Sequence, residues 1–265
     1  MADGPTQPRS LEDLISNGYA VQPFNYLEEG WQAFRNYPLG FIAFALVFIV
    51  ISQALPLLTP VFGQLLSIAV QVIMMAGIAM ATWGQLRNRT STFADFFPDW
   101  ETVGRLVVST VLALLLIAAG LLLFVLPGIY LIVAYSFSYM LIADRHLGAW
   151  QALEASRRVV TRNWWGIFWL TGVMLLLIMG GGIFGAALLG FPLGYVLTGY
   201  FPEVSLDDLP LVLPETGAQV NLGMMVGLLS GTMIGGGLGI ALSGCMFGAA
   251  YADIFGLASP PPQTA

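Results

Sequence analysis

Six long runs of apolar residues alternate with short polar stretches, and this alternation sets the expected architecture. The runs lie near 38–58, 61–83, 106–126, 128–143, 164–189 and 221–250. A membrane-spanning helix needs about 20 apolar residues, because the hydrocarbon layer is about 30 Å deep and each residue rises about 1.5 Å. The fourth run has only 16 residues and follows the third through Leu126-Pro127-Gly128, which predicts a tight helical hairpin. The sixth has 30, which predicts tilt, extension into the interface, or a break at Gly235-Gly236-Gly237. The expected fold class is an all-α membrane protein: six transmembrane helices with interfacial amphipathic helices on the cytoplasmic face. Residues 1–22 read as a flexible N-terminal tail, 23–255 as a single transmembrane domain, and 256–265 as a disordered C-terminal tail.

A second periodicity lies between the runs. Leu27, Trp31 and Phe34 fall at i, i+4, i+7, and Asn25 with Glu28 three residues on has capping-box spacing. This predicts an interfacial helix over 25–36. A second is predicted over 147–162, where Trp150, Leu153 and Val160 share a face and Glu154 and Arg158 pair at i, i+4. Trp31, Phe34, Trp150 and Leu153 are the expected interfacial anchors. Phe93, Phe96, Phe97 and Trp100 form an aromatic cluster with Pro98 among them, expected in the inner headgroup layer. The segments 30–34 and 149–153, both followed by an arginine and a span, suggest a parallel internal repeat, unlike the inverted repeats common in secondary transporters.

Charge adds orientation. Only 9% of residues are charged and 57% are apolar, too few charges to cover a water-facing surface. All nine cations are arginines outside the apolar runs. They occupy the N-terminal segment and the segments between runs two and three and between four and five, and none falls in the alternate loops. By the positive-inside rule both termini are cytoplasmic, which requires an even number of spans. No signal-peptide pattern precedes the first run, so cleavage is not expected. A net charge of −6 argues against nucleic acid as a partner. Cys245 and His146 are the single residues of their kinds, so neither an intramolecular disulfide nor a multi-His or Cys metal cluster within one chain is expected.

The segment 26–41 (YLEEGWQAFRNYPLGF) and a second block running from Leu126-Pro127-Gly128-Ile129-Tyr130 to Asp144, then Gly148, Ala152-Leu153 and Ser156, resemble a broad bacterial family. That family includes YciC-like inner-membrane proteins and the membrane domain fused to some glycerophosphodiester phosphodiesterases. The resemblance covers about residues 26–170 and implies a six-span bacterial inner-membrane protein. The catalytic domain of the fused relatives has no counterpart here, so their enzymology is not implied.

Candidate chemistry is sparse. Gly223, Gly227, Gly231, Gly235 and Gly239 recur every four residues, and Gly182, Ala186 and Gly190 form a small-residue row in the fifth run. Such rows let helix backbones approach closely in lipid, so helix packing within the protomer is expected. Gln64, Ser67 and Gln71 form a polar face at i, i+3, i+7, and Tyr135 and Tyr139 share another. These residues suit either bonding between helices or a solute path. No apolar run holds Asp, Glu, Lys, Arg or His, which weakens ion-coupled transport. Ser230-Gly231 and Ser243-Gly244 lack an intramembrane His base, and Asp253 has no acidic partner for paired-carboxylate catalysis. Asp144-Arg145-His146 reads as a solvated helix end, with headgroup phosphate binding as the sharper alternative. Ala152-Leu153-Glu154-Ala155 has part of the coupling-loop pattern of import-type ABC permeases but lacks its downstream glycine. The acids of the loop 190–220, whose four prolines argue against a long helix, lack EF-hand spacing and read as a solvated cap.

The expected function is therefore non-enzymatic: a membrane protein, without cofactor or metal, that organises lipids or partner proteins at the cytoplasmic face. The alternative is a facilitator or transporter of a small neutral or amphipathic solute. The lipid bilayer is the expected surrounding partner; a membrane or cytosolic protein partner and homo-oligomerisation stay open.

Overall fold

The computed structural model describes residues 9–87, 89, 92–201, 203–205 and 219–257. Among these, six helical stretches are long and apolar enough to cross a membrane: Pro38–Leu58, Val61–Leu86, Phe93–Leu123, Val125–Arg145, Trp164–Leu197 and Leu222–Phe255. The chain is an all-α, multi-pass integral membrane protein. It divides into two compact units, Leu176–Ile240 and the remainder.

In the larger unit, proline punctuates the helices. Helix α2 (Pro23–Asn36), α3 (Pro38–Leu58) and α4 (Pro60–Leu86) each begin on a proline, whose missing N–H has no partner to lose in a first turn. The capping box expected at Asn25 and Glu28 is therefore not the start of α2. The Asn25 amide donates to the Gln22 side chain instead. Before it lies α1 (Leu11–Asn17), where a flexible tail was expected. Ser10 caps α1 by accepting from the Asp13 N–H at 3.1 Å, and Leu14 is buried.

Helix α5 (Trp100–Leu123) starts six residues before the expected apolar boundary, because Asp99 caps it and accepts from the Thr102 N–H at 3.1 Å. The hairpin turn expected at Leu126-Pro127-Gly128 is formed by Phe124 alone, in extended conformation. Pro127 then falls in the first turn of α6 (Val125–Ala134), where it is tolerated. Gly128 serves the hairpin differently: a methyl on Gly120 would lie 3.2 Å from the Gly128 Cα, so the two helices touch there by backbone. After a break at 135–137 the chain resumes as α7 (Ser138–Arg145) and, past Gly148, as α8 (Ala149–Arg162). The short fourth run is thus a 21-residue stretch in two pieces. The helical ends beyond the apolar runs carry Asp144, Arg145 and Asp253, so the helices are not free of charged side chains, as the apolar runs are.

Two aromatic clusters form the core of this unit. Phe41 and Phe44 each lie 4.9 Å from Phe96, and Phe137 lies 5.6 Å from Phe247 and 5.5 Å from Phe255. Phe96 belongs to a 3-10 turn, Phe93–Phe96, held by the Asp95 carboxylate, which accepts from the Thr92 N–H at 2.6 Å. The aromatic segment expected in the headgroup layer instead inserts Phe96 into the protein, while Phe93 and Phe97 stay partly exposed.

The smaller unit is a helical hairpin. The end of α9 (Trp164–Gly185) leads through a π turn (Ala186–Gly190) into α10 (Phe191–Leu197), and the start of α11 (Leu222–Phe255) returns; the rest of both long helices belongs to the larger unit. The helix expected to stop at 189 continues through Pro192. A proline clashes with the carbonyl four residues back, and the wider π turn, in which Phe191 N–H donates to the Ala186 carbonyl, relieves that clash. A short antiparallel pair, β1 (Glu203–Ser205) with β2 (Gln219–Asn221), precedes α11. Asp207, Asp208 and Glu215 of the expected acidic cap lie outside the described residues. Helix α11 runs unbroken through Gly235-Gly236-Gly237, where a break was one expectation.

The glycine row of α11 faces α9 and α10 by backbone. A methyl on Gly235 would collide with the Gly181 carbonyl and lie 2.7 Å from the Gly185 Cα; one on Gly231 would meet Gly185 and Gly190. Gly227 meets Gly190 and Gly194, Gly223 meets Leu197, and Gly239 meets Leu177. The facing row is Gly181, Gly185, Gly190 and Gly194, not Gly182, Ala186 and Gly190; a methyl on Gly182 would rest 3.5 Å from the Thr232 side chain.

Candidate functional site

The arginine-bearing end of the larger unit gathers the polar chemistry of the chain. Helix α2 turns Tyr26, Gly30, Ala33 and Phe34 inward. Of the expected stripe, Phe34 is buried and packs on Phe41, whereas Trp31 stacks over Phe34 at 5.7 Å and remains 47% exposed. Gly30 permits this docking, since a methyl there would lie 2.7 Å from the Met246 N of α11. The Tyr26 hydroxyl donates to Asp253 Oδ2 at 2.8 Å. Burial pushes the Tyr26 hydroxyl up in pKa, and the Asp253 carboxylate adds to this. The Glu29 carboxyl is also raised, by burial first and by the charges of Asp253 and Glu28 next.

Helix α8 behaves alike. Leu153 and Val160 are buried with Ala152, Ser156 and Val159, while Trp150 is 59% exposed. Phe34 and Leu153 are therefore core residues, not interfacial anchors; Trp31 and Trp150 are the two of the four that reach the surface. Ser156 repairs the break in the fourth span. Its hydroxyl donates to the Ala134 carbonyl at 2.7 Å and accepts from the Phe137 N–H at 3.3 Å. Glu154 accepts from Arg157 and Arg158 at 2.7–2.9 Å, and these bonds lower its carboxyl to about 2.

Asp144 and Arg145 do not form a solvated helix end. Tyr251 donates to Asp144 Oδ2 at 2.9 Å, and the Asp144 side chain is only 6% exposed. Arg145 Nη2 donates to the carbonyls of Phe255 (2.8 Å) and Arg9 (3.0 Å), and the Arg9 N–H also donates to Phe255. These donors satisfy a terminal carbonyl of α11, which has no partner inside the helix. Trp83 donates to the Gly248 carbonyl at 3.0 Å. Helix α1 is fastened in the same layer: Arg162 donates to the Ile15 carbonyl, Tyr19 to Val159 at 3.2 Å, and Asn163 to Tyr19 at 3.1 Å.

The two candidate polar faces do not converge. Gln64 and Gln71 are exposed on α4, whereas Ser67 is buried and bonds the Gln64 carbonyl at 2.8 Å. Tyr135 and Tyr139 are half-buried and flank the break between α6 and α7, where the buried Ser136 hydroxyl has no hydrogen-bond partner among the described residues. No hydrogen bond joins the glutamines to the tyrosines among the described residues. No group of three or more His, Cys, Asp or Glu side chains placed to hold a metal ion occurs among them either.

Sequence reasoning missed Tyr26, Gly30, Asp144, Tyr251, Ser156 and Asp253 as structural partners. For α2 a signal existed: Tyr26, Gly30 and Ala33 repeat at i, i+4, i+7, one residue ahead of the Leu27 stripe. Also missed was the clustering of tryptophan. Trp31, Trp100, Trp150, Trp165 and Trp169 are 47–90% exposed and all lie at the arginine-bearing end. Exposed Arg35, Arg89, Arg158 and Arg162 accompany them. Tryptophan prefers the membrane–water interface, where its ring is apolar and its N–H wet, and arginine there meets phosphate. Comparison with family models, with curated proteins and with solved structures finds no match.

Proposed function

We propose that this chain is a non-catalytic bacterial inner-membrane protein that organises anionic lipid around a cytoplasmic platform, with both termini on that side. The observation that carries this reading is the set of exposed tryptophans and arginines at one end of the larger unit. Helices α1, α2 and α8 supply a rigid support, since each is tied to the span ends by buried side chains or hydrogen bonds. The resemblance of residues 26–170 to the YciC-like family supports the same location. An amphipathic surface of this type binds through apolar insertion plus attraction to anionic headgroups. Lipids retained by the purified protein test it. Enrichment of anionic lipid over the bulk membrane is expected, with a fall in the Trp31→Ala/Trp150→Ala variant; retained lipid of bulk composition would overturn the proposal.

One observation favours a second reading, a facilitator of small neutral solutes. A helix interrupted within a span exposes backbone and hydroxyl groups, and transporters use such breaks for binding. The break at 135–137 holds the Ser136 hydroxyl without a partner among the described residues. Solute flux into proteoliposomes that is lost in Ser136→Ala, with anionic lipid retention unchanged, would select this reading over the first.

A further inference from the structure

We propose that α4 is the docking surface for a second copy of this chain, paired in parallel about a two-fold axis along the membrane normal. Val61, Gln64, Ile68, Gln71 and Met75 are spaced 3-4-3-4, the a/d spacing of a coiled-coil seam. Val61, Gln64 and Gln71 are exposed, and Ile68 and Met75 are half-exposed. The seam is therefore outward over most of the span. Both glutamines occupy the same heptad position, seven residues apart. Gln71 lies ten residues from Val61, about 15 Å along the helix and close to the middle of a hydrocarbon layer of about 30 Å.

Hydrocarbon offers an amide nothing to bond, and neither glutamine side chain has a hydrogen-bond partner among the described residues. The occupant must supply both a donor and an acceptor at two levels one heptad apart. A primary amide is itself both donor and acceptor. In a two-fold pair the same residue meets itself across the axis, so Gln64 faces Gln64 and Gln71 faces Gln71. A second copy thus answers both amides with one symmetry operation and no further residue. The amides also fix the register, as a polar seam residue does in a coiled coil, and reject the one-turn slips that an all-apolar seam allows. Lipid acyl chains satisfy the apolar seam positions but not the amides.

Disulfide trapping in membranes tests this. In a Cys245→Ala background, Ile68→Cys and Met75→Cys place single thiols on the seam while keeping both glutamines. Leu66→Cys places one on the exposed opposite face of α4. Oxidation is expected to trap dimers through positions 68 and 75 but not 66. Adding Gln64→Leu and Gln71→Leu is expected to weaken the dimer about eightfold when protein is diluted into lipid, from about threefold for each amide pair. Leucine is at home in hydrocarbon, so the double variant folds, and its monodispersity by size exclusion checks that it does. Seam thiols that stay monomeric, that trap no better than position 66, or that trap equally well in the leucine variant would overturn the proposal.

Discussion

Gly30 sets how closely α2 lies against α11. Any side chain there meets the backbone between Cys245 and Met246, which has no freedom to retreat. Gly30→Val is expected to lower stability by about 1–3 kcal/mol, the usual penalty of overpacking, with Gly104→Val as the control because a methyl there would meet no neighbouring element within 4 Å. Thermal unfolding of the detergent-solubilised protein reads the difference. Ser156 is a second single-residue control point: Ser156→Ala leaves Ala134 C=O and Phe137 N–H short of a partner, and a loss of about 1–3 kcal/mol is expected. Glu154 gives a pH signature. Its folded-state carboxyl titrates near 2 against an ordinary value of 4.5, so its contribution is complete above 4.5 and is lost as pH falls toward 2. Glu29 has the opposite sign, because burial raises it: its neutral form favours the fold, and that contribution is lost as pH rises through its raised value. The Glu154→Gln variant should therefore show a flatter decline in unfolding temperature below pH 4.5 than the parent; an identical decline would mean that the pair with Arg157 and Arg158 adds nothing.

At the scale of elements, the π turn explains why the glycine rows of α9–α10 and α11 match. The α11 row steps by four residues throughout, whereas the facing row steps 4, 5, 4 through Gly181, Gly185, Gly190 and Gly194. A π turn holds about one residue more than an α turn, so a five-residue step there does what a four-residue step does elsewhere. Deleting the exposed Leu188 should convert the π turn to α-helix and keep the seam, leaving a folded protein. Deleting Ile183 shortens the step between Gly181 and Gly185 and should break it. Yield of monodisperse protein distinguishes the two deletions; equal losses would show that register is not what the turn preserves. The row itself was visible in the sequence because small residues at a fixed interval are a local pattern. Its partner row was not, because nothing local marks where a helix will widen by one residue.

For the whole molecule, orientation is the property that rests most on sequence. An impermeant maleimide should label Thr59→Cys from outside intact cells and His146→Cys only after permeabilisation, both in the Cys245→Ala background; the reverse pattern would invert the topology. Six spans were legible because hydrocarbon thickness sets a minimum apolar run and the backbone must satisfy itself within each helix, and both demands are local. The faces were less legible. In water an amphipathic helix shows which side is buried, but in lipid the packed side and the lipid side are both apolar, so periodicity loses its contrast. Phe34, Leu153 and Phe96 looked like lipid anchors for that reason and are core instead, whereas Gln64 and Gln71 looked like interior polar residues and lie outside. The ends of the helices were illegible for a different reason. Asp144, Arg145 and Asp253 appear as loop charges until Tyr251, Phe255 and Tyr26 are brought to them by long-range packing. The sequence by itself therefore determined the number of spans and their expected direction, through the solvent each segment requires. Tertiary structure alone decided which faces meet, where the fourth span breaks and which charges are buried, because those depend on the shape and hydrogen-bonding groups of residues distant along the chain.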